Sequence, residues 1–515
     1  MALARTSLAV VAAAVALTAS TLVADTPGAT AGTQTLLVNT TTDTFDAVCD
    51  EDCSLRDAIA AAGPGGRVRV PSGFYTLTRT GHGGIGRGDI DLRASITIAG
   101  VGETGTFIDA SQLGERAFTM GTASADGRYE LRRLTIFGAR APSIDGAAAR
   151  LGGGSARLRR VTIVGSRGGD GGALWSAPRS SLHVFDSLLI DNAASRAGGA
   201  IHSRGRLVMI GTTVAGNRAA DGGGIAVAGN GGTIERSTIA ENVATSSGGG
   251  MYIASAATLD GVTVADNRAG RGGGIRRPAS APGEVSVSGS VLSDNEADRS
   301  VDCAAAIVSL GGNAGFAKGC GLRSSEDHTG VDPRLRRLGA YGGPTPTMAL
   351  RIDSPALGAA GRCDSHADQR GAPRDRRCDA GAYELVRCLG KPVNIVGTRG
   401  DDELSGGRRP DVFLGLGGDD EFQGSIGNDR ACGGAGHDLL IAGPGNDRFD
   451  GGPGNDRIEG EEGDDWVWGG PGRDRLVGGP GMDTCQSERR DREPKGCEIF
   501  AVAIARATDR PGSPI

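Results

Sequence analysis

The chain has 515 residues, 89 of them glycine and only 4% aromatic, with a formal net charge of −6. Residues 397–483 hold nineteen Asp and Glu against eight Arg, a net of −11, which leaves about +5 for the rest. This distribution places a cation site in the acidic part and excludes a nucleic-acid footprint. The N-terminus reads Met1-Ala2-Leu3-Ala4-Arg5, then an apolar stretch from Leu8 to Leu17, then small residues ending Ala29-Thr30-Ala31. That is the outline of a secretory signal peptide over 1–31. The apolar stretch is too short to span a bilayer comfortably, and no later run reaches spanning length. No transmembrane segment is therefore expected in the mature chain.

Ten cysteines fit an oxidising destination. Local spacing suggests Cys49 with Cys53, Cys303 with Cys320, Cys363 with Cys378, and Cys485 with Cys497. Cys388 and Cys432 are left over, and spacing alone does not fix the connectivity.

Between Leu131 and Ala297 a unit of about 25 residues recurs. Each copy is a short β-branched strand closed by a polar residue, as in Ser187-Leu188-Leu189-Ile190-Asp191-Asn192 and Ser237-Thr238-Ile239-Ala240-Glu241-Asn242. The closing asparagines Asn192, Asn217, Asn242, Asn267 and Asn295 are separated by 25, 25, 25 and 28 residues. A glycine block such as Gly222-Gly223-Gly224 leads the next strand each time. Short apolar strands, glycine turns and one Asn per period predict a right-handed parallel β-helix with a stacked Asn ladder, since each amide offers donors and an acceptor to its neighbours.

The flanks carry further motifs. Cys49-Asp50-Glu51-Asp52-Cys53-Ser54-Leu55-Arg56-Asp57-Ala58-Ile59 resembles the CSLREA-type opening of secreted β-helix proteins. That resemblance implies a short amphipathic helix capping the first coil. Downstream, Asp332-Pro333-Arg334-Leu335, Gly342-Gly343-Pro344-Thr345-Pro346-Thr347 and Asp353-Ser354-Pro355-Ala356-Leu357 stand in order. With Asp368-Gln369-Arg370-Gly371 and Cys378-Asp379-Ala380-Gly381-Ala382-Tyr383-Glu384, they resemble the closing region of the choice-of-anchor Q group. Membership of such a group implies secretion and a β-helix, without a known reaction.

Near the C-terminus ten aspartates recur every nine residues: Asp402, Asp411, Asp420, Asp429, Asp438, Asp447, Asp456, Asp465, Asp474 and Asp483. Glycine precedes the Asp by two residues in nine of the ten units and by five in nine, Arg409 and Ala442 being the exceptions. An apolar residue such as Phe413, Phe449 or Ile458 follows two residues later. Glycines permit a tight turn in which carbonyls converge, and carboxylates add the hard anionic oxygens that Ca²⁺ requires. Two units make one coil of a parallel roll, so aspartates eighteen apart share an edge. Coils lie about 4.8 Å apart, where two carboxylates repel by roughly 3–4 kcal/mol at an effective dielectric of about 20. A cation between coils reverses that sign. Five coils leave four gaps on each edge, hence several ions and at most about eight. The unit resembles the hemolysin-type (RTX) calcium-binding β-roll over 397–483. Arg409 and Pro410 disturb the turn before Asp411, where a weak or empty site is expected, while Leu416 and Glu461 at second-glycine positions are milder departures.

The predicted organisation is a leader over 1–31, a β-helix with cap and closing region over 32–386, the roll over 387–499 and a tail over 500–515. Lyases, hydrolases and epimerases of polysaccharides also use β-helices, so a catalytic face is the competing expectation. Glu241, Asp266 and Asp294 precede the ladder asparagines and would stack on successive coils, as paired acids or as a solvated turn beside Arg218 and Arg268. Trp175 is the lone tryptophan before the roll, and His202 follows a glycine block as a packed or surface residue. The leading expectation is a secreted, non-catalytic calcium-binding solenoid whose β-helix face meets an extracellular glycan or cell-surface component. The alternative is an extracellular polysaccharide lyase or epimerase with the roll as accessory. A type I secreted toxin fits less well, because such chains carry few cysteines and an uncleaved C-terminal signal.

Overall fold

The computed structural model describes residues 35–502, apart from 82–83, 103–104, 122–125, 300, 305–306, 362, 364–365, 375 and 488–490. The leader expected over 1–31 and most of the tail lie outside these residues. Successive coils of the first solenoid follow a common route, complete from Ala149 onward. A three-residue strand such as Leu174–Ser176 is followed by a five-residue strand, Ser181–Phe185, then Leu188–Ile190, then the two-residue Ala193–Ala194. Corresponding strands of successive coils pair in parallel, forming sheets of twenty, nine and six strands. The result is a parallel β-helix.

The alternation of each strand decides what fills it. In the five-residue strands Leu182 and Val184 point inward above Leu207 and Met209, while Leu189, Val214, Ile239 and Val264 continue one apolar column in the next sheet face. Each such fully buried side chain contributes about 1.5–3 kcal/mol relative to exposure. The chain turns between strands by placing Asp186, Asp191, Glu241, Asp266 and Asp294 at positive φ, between 48° and 59°, a region that short acidic side chains tolerate better than most.

The asparagine ladder is present. Asn192 Nδ2 donates to Asn217 Oδ1 at 3.0 Å, and the pattern repeats through Asn242, Asn267 and Asn295 at 2.9, 3.0 and 2.9 Å. Ser166 N–H opens the ladder on Asn192 Oδ1, and Asn295 closes it on Asp302 Oδ1. A shorter hydroxyl ladder through Ser187, Thr212 and Ser237 runs at the preceding turn.

The first coil is capped by the helix Leu55–Ala61, started by a capping box in which Ser54 and Asp57 bond reciprocally. Its buried Arg56 donates to Asp43 at 2.6 Å and to the carbonyls of Ile85 and Gly88.

The closing region folds back across the coils it follows. Gln369 donates to Thr213 at 2.7 Å and accepts from Thr238 at 2.6 Å; Thr347 bonds Thr238, and the Ala382 amide bonds Thr263. Met348 packs on Ala240 and Ala265. The sheet face carrying Thr213, Thr238 and Thr263 is thus covered by the chain itself. Motif residues of this region hold it together: buried Arg370 donates to Asp368 at 2.8 Å and stacks over the Tyr383 ring at 3.8 Å.

The second solenoid is a roll of two parallel sheets, seven and five strands, with coils offset by eighteen residues, as in Leu404↔Phe422↔Leu440↔Ile458↔Leu476. All four spacing-based disulfides form, and Cys388 pairs with Cys432, tying the linker to the roll. Val386, Cys388, Val393, Val396 and Leu414 form a small core where the closing region meets the first coil.

Candidate metal centre

In each unit of the roll a short strand of three to six residues sends an apolar side chain inward, and the aspartate just before it also turns inward beneath the glycine turn. From Asp420 to Asp483 all eight aspartates are at most 3% exposed; Asp402 and Asp411, on the first coil, are half-buried. The backbone N–H of each aspartate donates to Oδ1 of the aspartate eighteen residues later. Asp402, Asp420, Asp438, Asp456 and Asp474 form one column at 2.9 Å per step. Asp411, Asp429, Asp447, Asp465 and Asp483 form the other at 2.6–2.9 Å. The two predicted edges are therefore brought together as predicted, in eight in-register pairs.

The second oxygen is where the roll is unsatisfied. Oδ2 of Asp420, Asp429, Asp438, Asp447, Asp456, Asp465 and Asp483 is buried without a hydrogen-bond partner. A buried carboxylate left in that state is costly. The first coil differs, since Asp402 Oδ2 accepts from Thr398 and Asp411 Oδ2 from the Gly407 amide at 2.8 Å. The irregular turn at Arg409 and Pro410 thus coincides with a carboxylate already occupied by the chain.

The glycines define the space around the orphan oxygens. A Cβ on Gly433, Gly451 or Gly460 would lie 2.3–2.4 Å from Oδ2 of Asp438, Asp456 or Asp465. A Cβ on Gly445, Gly454 or Gly472 would lie 1.5 Å from the carbonyl oxygen of Gly427, Gly436 or Gly454. Only glycine lets carbonyls and carboxylates of successive turns approach so closely. Among the described residues no three His, Cys, Asp or Glu side chains converge as a metal site. The donor set is instead carboxylate pairs with backbone carbonyls, all hard oxygens, which suits Ca²⁺ rather than a transition metal.

Burial pushes these carboxyls up: Asp429 to about 6, Asp420, Asp447 and Asp465 to about 7, and Asp456 to about 8, with neighbouring aspartates adding to the rise. Two acids outside the nine-residue metre extend the columns. Asp491 accepts from the Asp474 amide at 3.1 Å and Glu498 from the Asp483 amide at 2.7 Å. Their offsets of 17 and 15 residues break the eighteen-residue step, so no periodic signal marks them in the sequence.

On the β-helix, Glu241, Asp266 and Asp294 stack at one turn on the surface, and partial desolvation of the carboxyl by the turn, with Asp294 and Glu241 beside it, pushes Asp266 to about 6. Trp175 and His202 stand in register on one sheet face and are 7% and 9% exposed, Trp175 beneath the Arg150 guanidinium at 4.9 Å.

Residues 396–431, 424–458 and 450–485 match the family described as RTX calcium-binding nonapeptide repeat, so the roll is built of calcium-binding RTX repeats. No curated protein matches the chain in sequence. Among solved structures, the chain is similar to pectate lyase Pel9A at 13% identity, covering 68% of this chain and 96% of that one, with a TM-score of 0.47. The A-module of the Azotobacter vinelandii mannuronan C-5 epimerase AlgE6 aligns at 14% identity over 91% of this chain and 98% of that one, with a TM-score of 0.32. Among the described residues no helix is long and apolar enough to cross a membrane.

Proposed function

We infer that the chain is a secreted, calcium-dependent solenoid protein whose β-helix is a non-catalytic binding module for an extracellular glycan or cell-surface component. Its leader is 1–31, its β-helix 32–386 and its roll 387–499, and Asp402 to Asp483 are the metal-binding aspartates. The observation that carries this reading is the row of buried carboxylate oxygens with no partner in the protein. A calcium ion bound there supplies charge neutralisation between coils. The chain's part is to stack the carboxylates in register, hold the carbonyls beside them and keep the turns free of side chains. Five disulfides fit an oxidising, extracellular destination. Calorimetric titration of the full chain should give several ions per molecule; a 1:1 stoichiometry, or no heat, removes the reading. Deleting 1–31 should abolish export.

A polysaccharide-active enzyme is the second reading, favoured by the stacked Glu241, Asp266 and Asp294 with Asp266 near neutrality. Release of reducing ends or unsaturated uronate from a polysaccharide panel, lost in Asp266→Asn, would establish it.

A further inference from the structure

The five-residue strands of the largest sheet turn alternate side chains outward, and successive coils align those side chains in columns. Arg69, Ala99, Arg132, Arg159 and Phe185 stand in register in one column. Arg67, Thr97, Glu130, Arg157 and His183 stand in the next, which continues through Val208, and Arg206 lies on that further coil in register with Ser181, two residues to the side. The six arginines are all exposed. Arg159 lies 3.9 Å from Asp186, and among the described residues none of the other five is ion-paired. Further along the same columns the charge vanishes and then reverses, through Thr233 and Thr258 on one side and Glu235 and Asp260 on the other. The adjoining face of this sheet is covered by the closing region, whereas this one is open.

We propose that this strip binds a linear polyuronate, a glycan with one carboxylate per sugar, laid along the solenoid axis. The proposal rests on reading the β-helix as a binding module and locates the site of that module. From the strand Gly66–Val70 to the strand Arg206–Ile210 there are five steps between rungs, about 24 Å at ~4.8 Å each. That length accommodates several sugars. A guanidinium presents two parallel donors that match a carboxylate, and the strip spreads six of them over two neighbouring columns, with Arg132 and Arg159 on adjacent rungs and Glu130 beside Arg157. Single-stranded nucleic acid would need aromatic platforms for its bases; the strip offers Phe185 alone, with Arg157 already 6.0 Å from its ring. The acidic roll of a second copy is a poorer complement, because its nine-residue-spaced aspartates from Asp420 to Asp483 face inward and bound calcium would neutralise them.

Affinity electrophoresis and calorimetry of the full chain in calcium test this, with polygalacturonate, a neutral glucan and single-stranded DNA as probes. The wild type should bind polygalacturonate alone. Arg132→Gln/Arg157→Gln/Arg159→Gln, with unchanged circular dichroism, should weaken that binding about tenfold or more, and Glu235→Gln/Asp260→Asn at the acidic end should not. A triple variant that binds like wild type overturns the strip as the site and leaves the binding-module reading standing. Capture of the glucan in place of polygalacturonate has the same consequence. Equal binding of DNA overturns the polyuronate assignment, and failure to bind any glycan overturns both readings.

Discussion

Chelation should unfold the roll and leave the β-helix in place. Eight in-register aspartate pairs join successive coils, and six of them have both carboxylates buried. An extracellular site with a dissociation constant of about 0.1 mM contributes about 1.4 kcal/mol at roughly 1 mM calcium, so six contribute about 8 kcal/mol. That is comparable to the entire stability expected of about 90 residues, roughly 5–13 kcal/mol. The roll has little else to lean on: its core is a single file from Phe413 to Cys497, and ionised buried carboxylates work against it. The β-helix has a continuous apolar interior and the asparagine ladder, neither of which involves a cation. Hydrogen exchange of the full chain in calcium and in EGTA separates the two. Amides of Phe449, Val467 and Leu476 should lose protection in EGTA, while those of Leu207, Val214 and Ile239 keep it. Unchanged protection in the roll, or simultaneous loss in both solenoids, would refute the reasoning.

Other perturbations bear on single links of the argument. Gly454→Ala places a Cβ 1.5 Å from the Gly436 carbonyl, so the turn must shift, at a cost of about 2–3 kcal/mol; the calcium-loaded melting transition of the roll should fall while that of the β-helix stays fixed. Asn242→Ala removes a fully buried amide that bonds Asn217, Asn267 and the Val214 carbonyl, leaving unpaired groups worth about 3 kcal/mol together, visible as a lower melting temperature of the β-helix in either calcium or EGTA. Cys388→Ser/Cys432→Ser opens a loop of 44 residues, lowering the stability of the roll by up to about 4 kcal/mol in the chain-entropy account; an unchanged denaturant midpoint would assign the bond no role. The carboxyls raised by burial to about 6–8 hold protons in the metal-free fold that an unfolded chain has already released. Stability from that source is present at acid pH and is lost as pH rises through 6–8. Calcium must displace those protons, so its affinity should rise and proton release per ion should fall between pH 6 and pH 8; equal affinity at both ends contradicts the burial of Asp420, Asp447 and Asp456.

What could be read from the chain was whatever repeats. A nine-residue metre fixes which aspartates share an edge, because two units close one coil and side chains eighteen apart must stack; the columns from Asp402 and Asp411 follow from that alone. The 25-residue step likewise places Asn192, Asn217, Asn242 and Asn267 one above another. Interactions without a period were not legible. Gln369 meets Thr213 across 156 residues, and nothing local in Asp368-Gln369-Arg370-Gly371 announces that it latches onto threonines of two earlier coils. Asp491 and Glu498 end the carboxylate columns at broken spacing. His437, a variable turn position in the sequence, accepts from the Asn455 amide at 2.9 Å as part of a second, exposed ladder beside the buried one. The closing region matters most for function. By covering the threonine face it removes one long surface of the solenoid from contact with any partner, and it leaves the arginine-bearing face open. A periodic sequence thus specifies the coils and the cation columns, while a segment with no period determines which side of the coils another molecule can reach.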